Sequence, residues 1–256
     1  MDLQGKRVVV TGAASGIGAA LVDALRRVEG VRLLAVDLAD VPEEPGRLWF
    51  RRVDLSDGAA LDALVEEADA LLGGPVDVFF ANAGYAWYGR LPGPDMAKLE
   101  RLFRTNTLGP IHMLQRLLER RPAQDFRMVV TASAMAFLPV PGYAAYAATK
   151  ATLRSFAVAM RFELKRPETF TLVYPIATRT RFFDYGHATA PTPWPSQTPE
   201  QVARAMIRGV QRDRADIHPS LVFRVFSRVV DVLPFTGWLY QKWQAWLLDR
   251  WIRAHR

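Results

Sequence analysis

The 256-residue chain contains no cysteine, which excludes a disulfide framework and any thiolate metal site. Its four histidines stand at no metal-ligand spacing, so no metal centre is expected. Long apolar runs are also missing. The residues Met1 to Arg7 lead straight into a strand pattern, without the apolar stretch of a signal peptide. Arg224, Arg228 and Asp231 break the most apolar late segment, against a membrane-spanning helix. A cytoplasmic protein is the expectation, with peripheral contact at a membrane surface left open. No internal repeat or low-complexity tract is visible, and half of the residues are hydrophobic. That supports one well-buried α/β domain rather than two.

Short apolar runs alternate with helix-period segments. Arg7 to Thr11, Val31 to Val36, Trp49 to Val53, Val76 to Ala81, Phe126 to Thr131 and Phe170 to Tyr174 read as strands. Such alternation implies βαβ units with right-handed crossovers, hence a doubly wound, Rossmann-like parallel sheet with helices on both faces. Ligands of these sheets bind beyond the carboxyl ends of the strands. Gly12, Asp37, Asp54, Asn82-Ala83-Gly84, Ser133 and Pro175 all fall there.

The first of these positions opens the turn Thr11-Gly12-Ala13-Ala14-Ser15-Gly16-Ile17-Gly18, between the first strand and the helical run Ala19 to Val28. Glycines let a pyrophosphate approach the backbone, and a helix amino terminus favours an anion. A merely structural turn is the alternative. Asp37 closes the second strand nineteen residues after Gly18. A carboxylate there accepts ribose hydroxyls and repels a 2′-phosphate, which favours NAD(H) over NADP(H). Asp54, beside Leu55, fits either an adenine pocket or a helix cap.

Tyr146 and Lys150 lie one turn apart on the helix expected from Tyr143 to Leu164, and Ser133 lies thirteen residues before Tyr146. A free phenol, with a pKa of about 10, exchanges protons poorly at neutral pH. A cation ~4 Å away, at an effective dielectric near 20, favours phenolate by roughly 4 kcal/mol, about three pKa units as an upper bound. Tyr143 is a competing phenol, seven residues from Lys150. Ser133 lacks the Gly-x-Ser-x-Gly elbow of a hydrolase. Together with the glycine-rich turn, the group reads as a nicotinamide-dependent oxidoreductase.

From about Leu3 to Thr180 the chain closely resembles the short-chain dehydrogenase/reductase family, through Thr-Gly-x-x-x-Gly-x-Gly, Asn-Ala-Gly, Ser and Tyr-x-x-x-Lys. The resemblance implies that Tyr146 is the general acid/base, that Lys150 lowers its pKa and binds nicotinamide ribose, and that Ser133 orients substrate. It implies that Asn106 supports a water in the proton relay, and that Asn82, Ala83 and Gly84 shape the cofactor pocket. Thr11, Gly12, Ser15, Gly16, Ile17, Gly18, Asp37, Asp54 and Leu55 would complete that pocket, with Pro175 and Thr180 at the nicotinamide carboxamide. Ile176 stands where the family usually has glycine, a stiffer residue in that loop. The implied reaction interconverts an alcohol with a ketone or aldehyde as small-molecule substrate. A catalytically silent sensor or scaffold with the same fold is the rival, but it would need no proton-transfer group.

Two segments lie beyond that match. The proline- and aromatic-rich stretch 183–199 reads as a lid over a largely apolar substrate; Thr198 then caps a new helix with Pro199 at its first position. Residues 1–220 form the expected catalytic domain, and 221–256 a C-terminal extension packed on or attached to it. That extension carries six Lys or Arg against two Asp, and Trp238, Trp243, Trp246 and Trp251. Tyr240, Trp243, Leu247 and Trp251 recur at helical spacing, with Gln241, Lys242, Asp249 and Arg253 on another face. Packing on its own core, a homo-oligomer contact and peripheral membrane contact through 238–256 all remain open; nucleic acid is not expected. The family's tetramer symmetry is not assumed.

Overall fold

The computed structural model describes residues 1–90, 95–180, 182 and 195–254. In chain order the elements are β1 (Arg7–Thr11), α1 (Gly16–Leu25), β2 (Arg32–Asp37), β3 (Leu48–Arg52), α2 (Gly58–Leu72), β4 (Val78–Ala81), α3 (Met96–Phe103) and, after a π-helical turn at Arg104–Leu108, α4 (Gly109–Arg120). Then follow β5 (Arg127–Thr131), α5 (Ala144–Met160), β6 (Phe170–Val173), β7 (Ala177–Thr178), β8 (Ser196–Gln197), α6 (Pro199–Gln211), β9 (Asp216–Ile217), α7 (Leu221–Val232) and α8 (Pro234–Ala254).

Seven strands form one sheet in the order β3-β2-β1-β4-β5-β6-β9, every pair parallel. The chain winds outward from β1 in one direction, then returns to β4 and winds the other way. This reversal opens a crevice at the carboxyl ends of β1 and β4, where such sheets bind ligands. Because successive side chains alternate between faces, each strand feeds two cores. Val9, Leu34, Phe79, Met128 and Leu172 pack against Leu64, Leu117 and Leu153 of α2, α4 and α5. Val8, Val10, Leu33, Phe80 and Val129 pack against Leu21, Leu25, Val202 and Met206 of α1 and α6. Burial on both sides explains why the strands read as continuous apolar runs.

Element boundaries differ from expectation for local reasons. The strand expected from Val76 starts at Val78, because the Asp77 carboxylate is committed to Arg7, accepting from its backbone N–H at 3.0 Å and from Nε at 2.9 Å. The first helix begins at Gly16 rather than Ala19, with Ser15 in extended conformation as its N-cap. Thr198 and Gln201 form a reciprocal capping box on α6, as the Thr-Pro-Glu restart implied. The two-residue β9 was too short to be legible.

A third cluster covers the carboxyl-end crevice. Ala86, Tyr88, Met135, Val140, Tyr143, Tyr146 and Leu248 are its buried members, with Phe182, Tyr240, Trp251 and Ile252 packed against them. The extension therefore lies over the catalytic domain through α8. The expected apolar face of that helix needs correction: Trp243 is exposed, whereas Gln244 and Leu248 are buried. The inward row follows a strict i, i+4 progression from Tyr240 through Gln244 to Leu248, and the glutamine in it hid the row from a hydrophobicity reading. Among the described residues no helix is long and apolar enough to cross a membrane.

Candidate active site

Thr11 at the end of β1 and Asn82 after β4 together tie three strand ends. Thr11 Oγ1 accepts from the backbone N–H groups of Asn82 (3.0 Å) and Ala83 (3.1 Å) and donates to the Phe80 carbonyl. Asn82 Nδ2 donates to the Thr11 carbonyl, and Thr131 Oγ1 donates to Asn82 Oδ1. The ends of β1, β4 and β5 are thereby fixed as one platform, which makes Thr11 and Asn82 scaffold residues as much as ligand-facing ones.

The glycine turn is close-packed. A Cβ at Gly18 would lie 1.9 Å from the Gly12 carbonyl oxygen, and one at Gly12, where φ is +68°, 2.9 Å from Ala83 Cα. Gly16 faces Thr180, whose Cγ2 would be 2.9 Å from an added Cβ. The Ser15 side chain makes no capping hydrogen bond, so the first N–H groups of α1 are left to other acceptors. Such a cradle fits the diphosphate of a dinucleotide.

A cavity of about 450 Å³ runs from this turn to the catalytic candidates. Of the expected cofactor residues, Gly12, Ser15, Gly16, Ile17, Asp37, Asp54, Leu55, Asn82, Ala83, Gly84, Tyr146, Lys150, Pro175 and Thr180 line it. Thr11 and Gly18 stand behind it as supports. Asp37 is strongly engaged already: Oδ2 accepts from Ala14 N (2.9 Å) and Oδ1 from Leu38 N (2.7 Å) and Ala39 N (3.0 Å). It thus pins the glycine turn to the end of β2. Asp54 lines the cavity, and the neighbouring helix cap belongs to Asp57, which accepts from Ala59 N. Burial raises the Asp54 pKa, but hydrogen bonds from Ser56 and the charge of Arg101 outweigh it and hold the carboxyl below its ordinary range.

Sequence reasoning missed Tyr85, Arg101, Met135 and Phe182, which also line the cavity. Only Tyr85 carried a signal, as the residue following Asn-Ala-Gly. Arg101 reaches Asp54, in the segment after β3, at 2.8 Å from α3, a pairing no spacing encodes.

At the other end, Tyr146 and Lys150 are both buried on α5. The Lys150 ammonium lies 5.7 Å from the Tyr146 ring centroid and donates to the Thr131 carbonyl at 2.7 Å. Ser133, whose Oγ accepts from Met135 N at 3.1 Å, acts on the Tyr146 phenol in the direction that lowers its pKa. The proximity expected from spacing is present; the direction of the phenol's shift is not. Burial pushes Tyr146 up to about 12, only partly offset by Ser133, and pushes Lys150 down to about 7. Desolvation of the charged form sets both directions.

Asn106 sits in the π-helical turn, fully buried. Its side chain donates to Tyr85 O (2.9 Å) and Thr149 Oγ1 (3.2 Å) and accepts from Tyr85 N (3.1 Å). A Cβ at Gly84 would be 2.9 Å from Asn106 Oδ1 and 3.6 Å from Lys150 Nζ, so Gly84 is what lets the three approach. Thr180 Oγ1 accepts from Phe182 N. Ile176 is accommodated without strain, since Gln124 and Asp213 are the non-glycine positive-φ residues of the described chain. The expected lid falls mainly on residues 183–194, outside the described residues.

The model of the family described as "short chain dehydrogenase" matches residues 6–188. The chain belongs to that family. Among curated relatives, the uncharacterized oxidoreductase YbbO of Escherichia coli K12 is 34% identical over 184 residues, covering 70% of this chain and 68% of that one. The 3-ketodihydrosphingosine reductase of Bos taurus is 30% identical over 234 residues, covering 81% and 69%. A short chain dehydrogenase/reductase from Burkholderia phymatum, solved in complex with NAD, superposes with TM-score 0.76 at 22% identity over 89% of this chain and 93% of that chain; other matching structures are in complex with NADP or NADPH. Membership in the short chain dehydrogenases makes the protein an oxidoreductase.

Proposed function

We propose that the protein interconverts an alcohol with a ketone or aldehyde, on a largely apolar small-molecule substrate, using NAD(H) in preference to NADP(H). The observation that carries this reading is the grouping of buried Ser133, Tyr146 and Lys150 in the wall of one cavity, Lys150 5.7 Å from the Tyr146 ring centroid, with the glycine turn at the cavity's other end. The bound nicotinamide cofactor supplies or takes the hydride. Tyr146, neutral at pH 7, donates its phenolic proton to the oxygen of a carbonyl substrate. Ser133 Oγ–H polarises that oxygen. Lys150 holds the turn after β5 through the Thr131 carbonyl and places positive charge beneath the phenol as it loses its proton. Asn106 fixes Tyr85 and Thr149 around the lysine. Oxidation reverses the proton's path.

The apolar character of the substrate rests on the aromatic cluster around Tyr146: Phe182 lies 5.5 Å from its ring, and Tyr88 lies between a tilted Tyr143 at 4.6 Å and an edge-on Trp251 at 5.0 Å. Preference for NAD(H) rests on Asp37, whose carboxylate would face a 2′-phosphate. The rival of a silent dinucleotide sensor leaves the buried Ser133, Tyr146 and Lys150 without a purpose. A panel of apolar alcohols and ketones with both cofactors, followed by nicotinamide absorbance, tests the reading. Turnover on apolar ketones is expected; cofactor binding without any turnover across the panel would favour the sensor.

A further inference from the structure

The two C-terminal helices carry large side chains that their packing does not use. On α7 Leu221, Val225 and Val232 are exposed at one-sided helical spacing, Val232 at 77%. On α8 Phe235, Trp238 and Trp246 project likewise, the two indoles each more than half exposed. Both helices keep other residues for the fold. Phe226 meets Tyr240 at 6.1 Å, Phe223 and Leu248 are buried, and Gly237 lies against Val230. The exposed rows are thus an outward surface.

Charge identifies what it fits. Among described residues 221–254 there are five Lys or Arg and two Asp, and Asp249 is already paired with Arg90. Lys242 sits 5.2 Å over the Trp238 ring and Arg250 5.6 Å over the Trp246 ring, so cations rim the indoles. A second copy meeting this surface across a two-fold axis would oppose like charges, whereas anionic lipid headgroups over an apolar interior complement both features. We propose that the α7–α8 hairpin binds the surface of anionic bilayers, laying Phe235, Trp238 and Trp246 into the headgroup boundary. The opposite side of α8, through Leu248 and Trp251, packs into the cluster that holds Tyr146 and Met135, which line the catalytic crevice. The lipid therefore lies one helix away from the substrate. This placement deepens the apolar-substrate reading, but lipid binding itself can be measured without any turnover.

The test is co-sedimentation of the full chain with phosphatidylcholine vesicles, with and without phosphatidylglycerol. Binding to the anionic vesicles at low ionic strength is expected, with several-fold weakening when salt shortens the screening length. Trp238→Ser with Trp246→Ser, and separately Lys242→Glu with Arg250→Glu, should each cut affinity roughly tenfold or more. Both should retain the wild-type melting temperature and NADH affinity, since these side chains are exposed. Absence of wild-type binding to anionic vesicles would overturn the proposal. So would unchanged binding by both variants, or a concentration-dependent dimer, abolished by the Trp substitutions, in a chain that ignores vesicles. Turnover on soluble ketones without lipid reads the catalytic proposal separately.

Discussion

Gly18→Ala sets two calculable effects against each other. Gly18 lies inside α1 without a positive φ, so alanine should favour the helix by about 1 kcal/mol. Against that, the new methyl would sit 1.9 Å from the Gly12 carbonyl oxygen, more than 1 Å inside the 3.0 Å limit below which real Cβ contacts are essentially never found. The oxygen has little room to retreat, because even a Cβ on Gly12 would meet Ala83 Cα at 2.9 Å and the preceding Thr11 is tied through its carbonyl to Asn82. Overpacking of rigid backbone costs about 1–3 kcal/mol or more, so the clash wins. The melting temperature should fall by about 2–8 °C for a domain of this size. Displacing the turn also removes one or two charge-assisted N–H contacts to the cofactor phosphates, each about 1.5–3 kcal/mol. NADH affinity should therefore drop at least about tenfold. Gly58→Ala is the control, because an added Cβ at Gly58 meets nothing within 4 Å; it should be neutral or mildly stabilising. Thermal melts and NADH fluorescence titrations read both quantities. A Gly18→Ala protein with unchanged melting and unchanged NADH affinity would refute the close-packed turn.

Asp37→Ser should reverse the cofactor preference toward NADP(H) by about tenfold or more, as one to two kcal/mol of charge repulsion is removed; equal NAD and NADP affinities in the wild type would defeat the assignment. Lys150→Met should abolish turnover and weaken NADH binding yet raise the melting temperature of the cofactor-free protein at pH 7. The Lys150 pKa is depressed to about 7 from 10.5 by burial, so the unfolded chain binds more protons between those values and wild-type stability rises with pH across that window. The variant should lack that rise in a melting series. Asp77, buried but held below its ordinary pKa mainly by Arg7, adds stability that is present above 3.8 and lost as pH falls through its lower folded value. Asp77→Asn should cost about 1–3 kcal/mol at neutral pH and flatten the acid limb of a denaturation profile; an unchanged limb would contradict the pair's role.

Much of this was legible because it is local. Alternating apolar runs fixed the six longer strands, and the i, i+4 relation of Tyr146 to Lys150 is a property of any helix. What was hidden depends on residues far apart in the chain. Arg101 meets Asp54 across forty-seven positions, and Trp251 reaches Tyr88 only because α8 folds back over the crevice. The phenol's shift was misjudged for a related reason. Helical spacing reports proximity to a cation, but the depth of burial that raises Tyr146 is set by the surrounding tertiary aromatic cluster. Gln244 is the same lesson on α8, since a polar residue on the inward row conceals that row from any hydrophobic pattern.

The central claim is that the buried Tyr146 phenol moves the proton. Tyr146→Phe keeps the ring's packing against Phe182 and removes only the hydroxyl. Steady-state turnover with an active ketone should fall about 10²–10⁴-fold, while NADH affinity stays within a few-fold of wild type. Turnover near the wild-type rate would contradict the account.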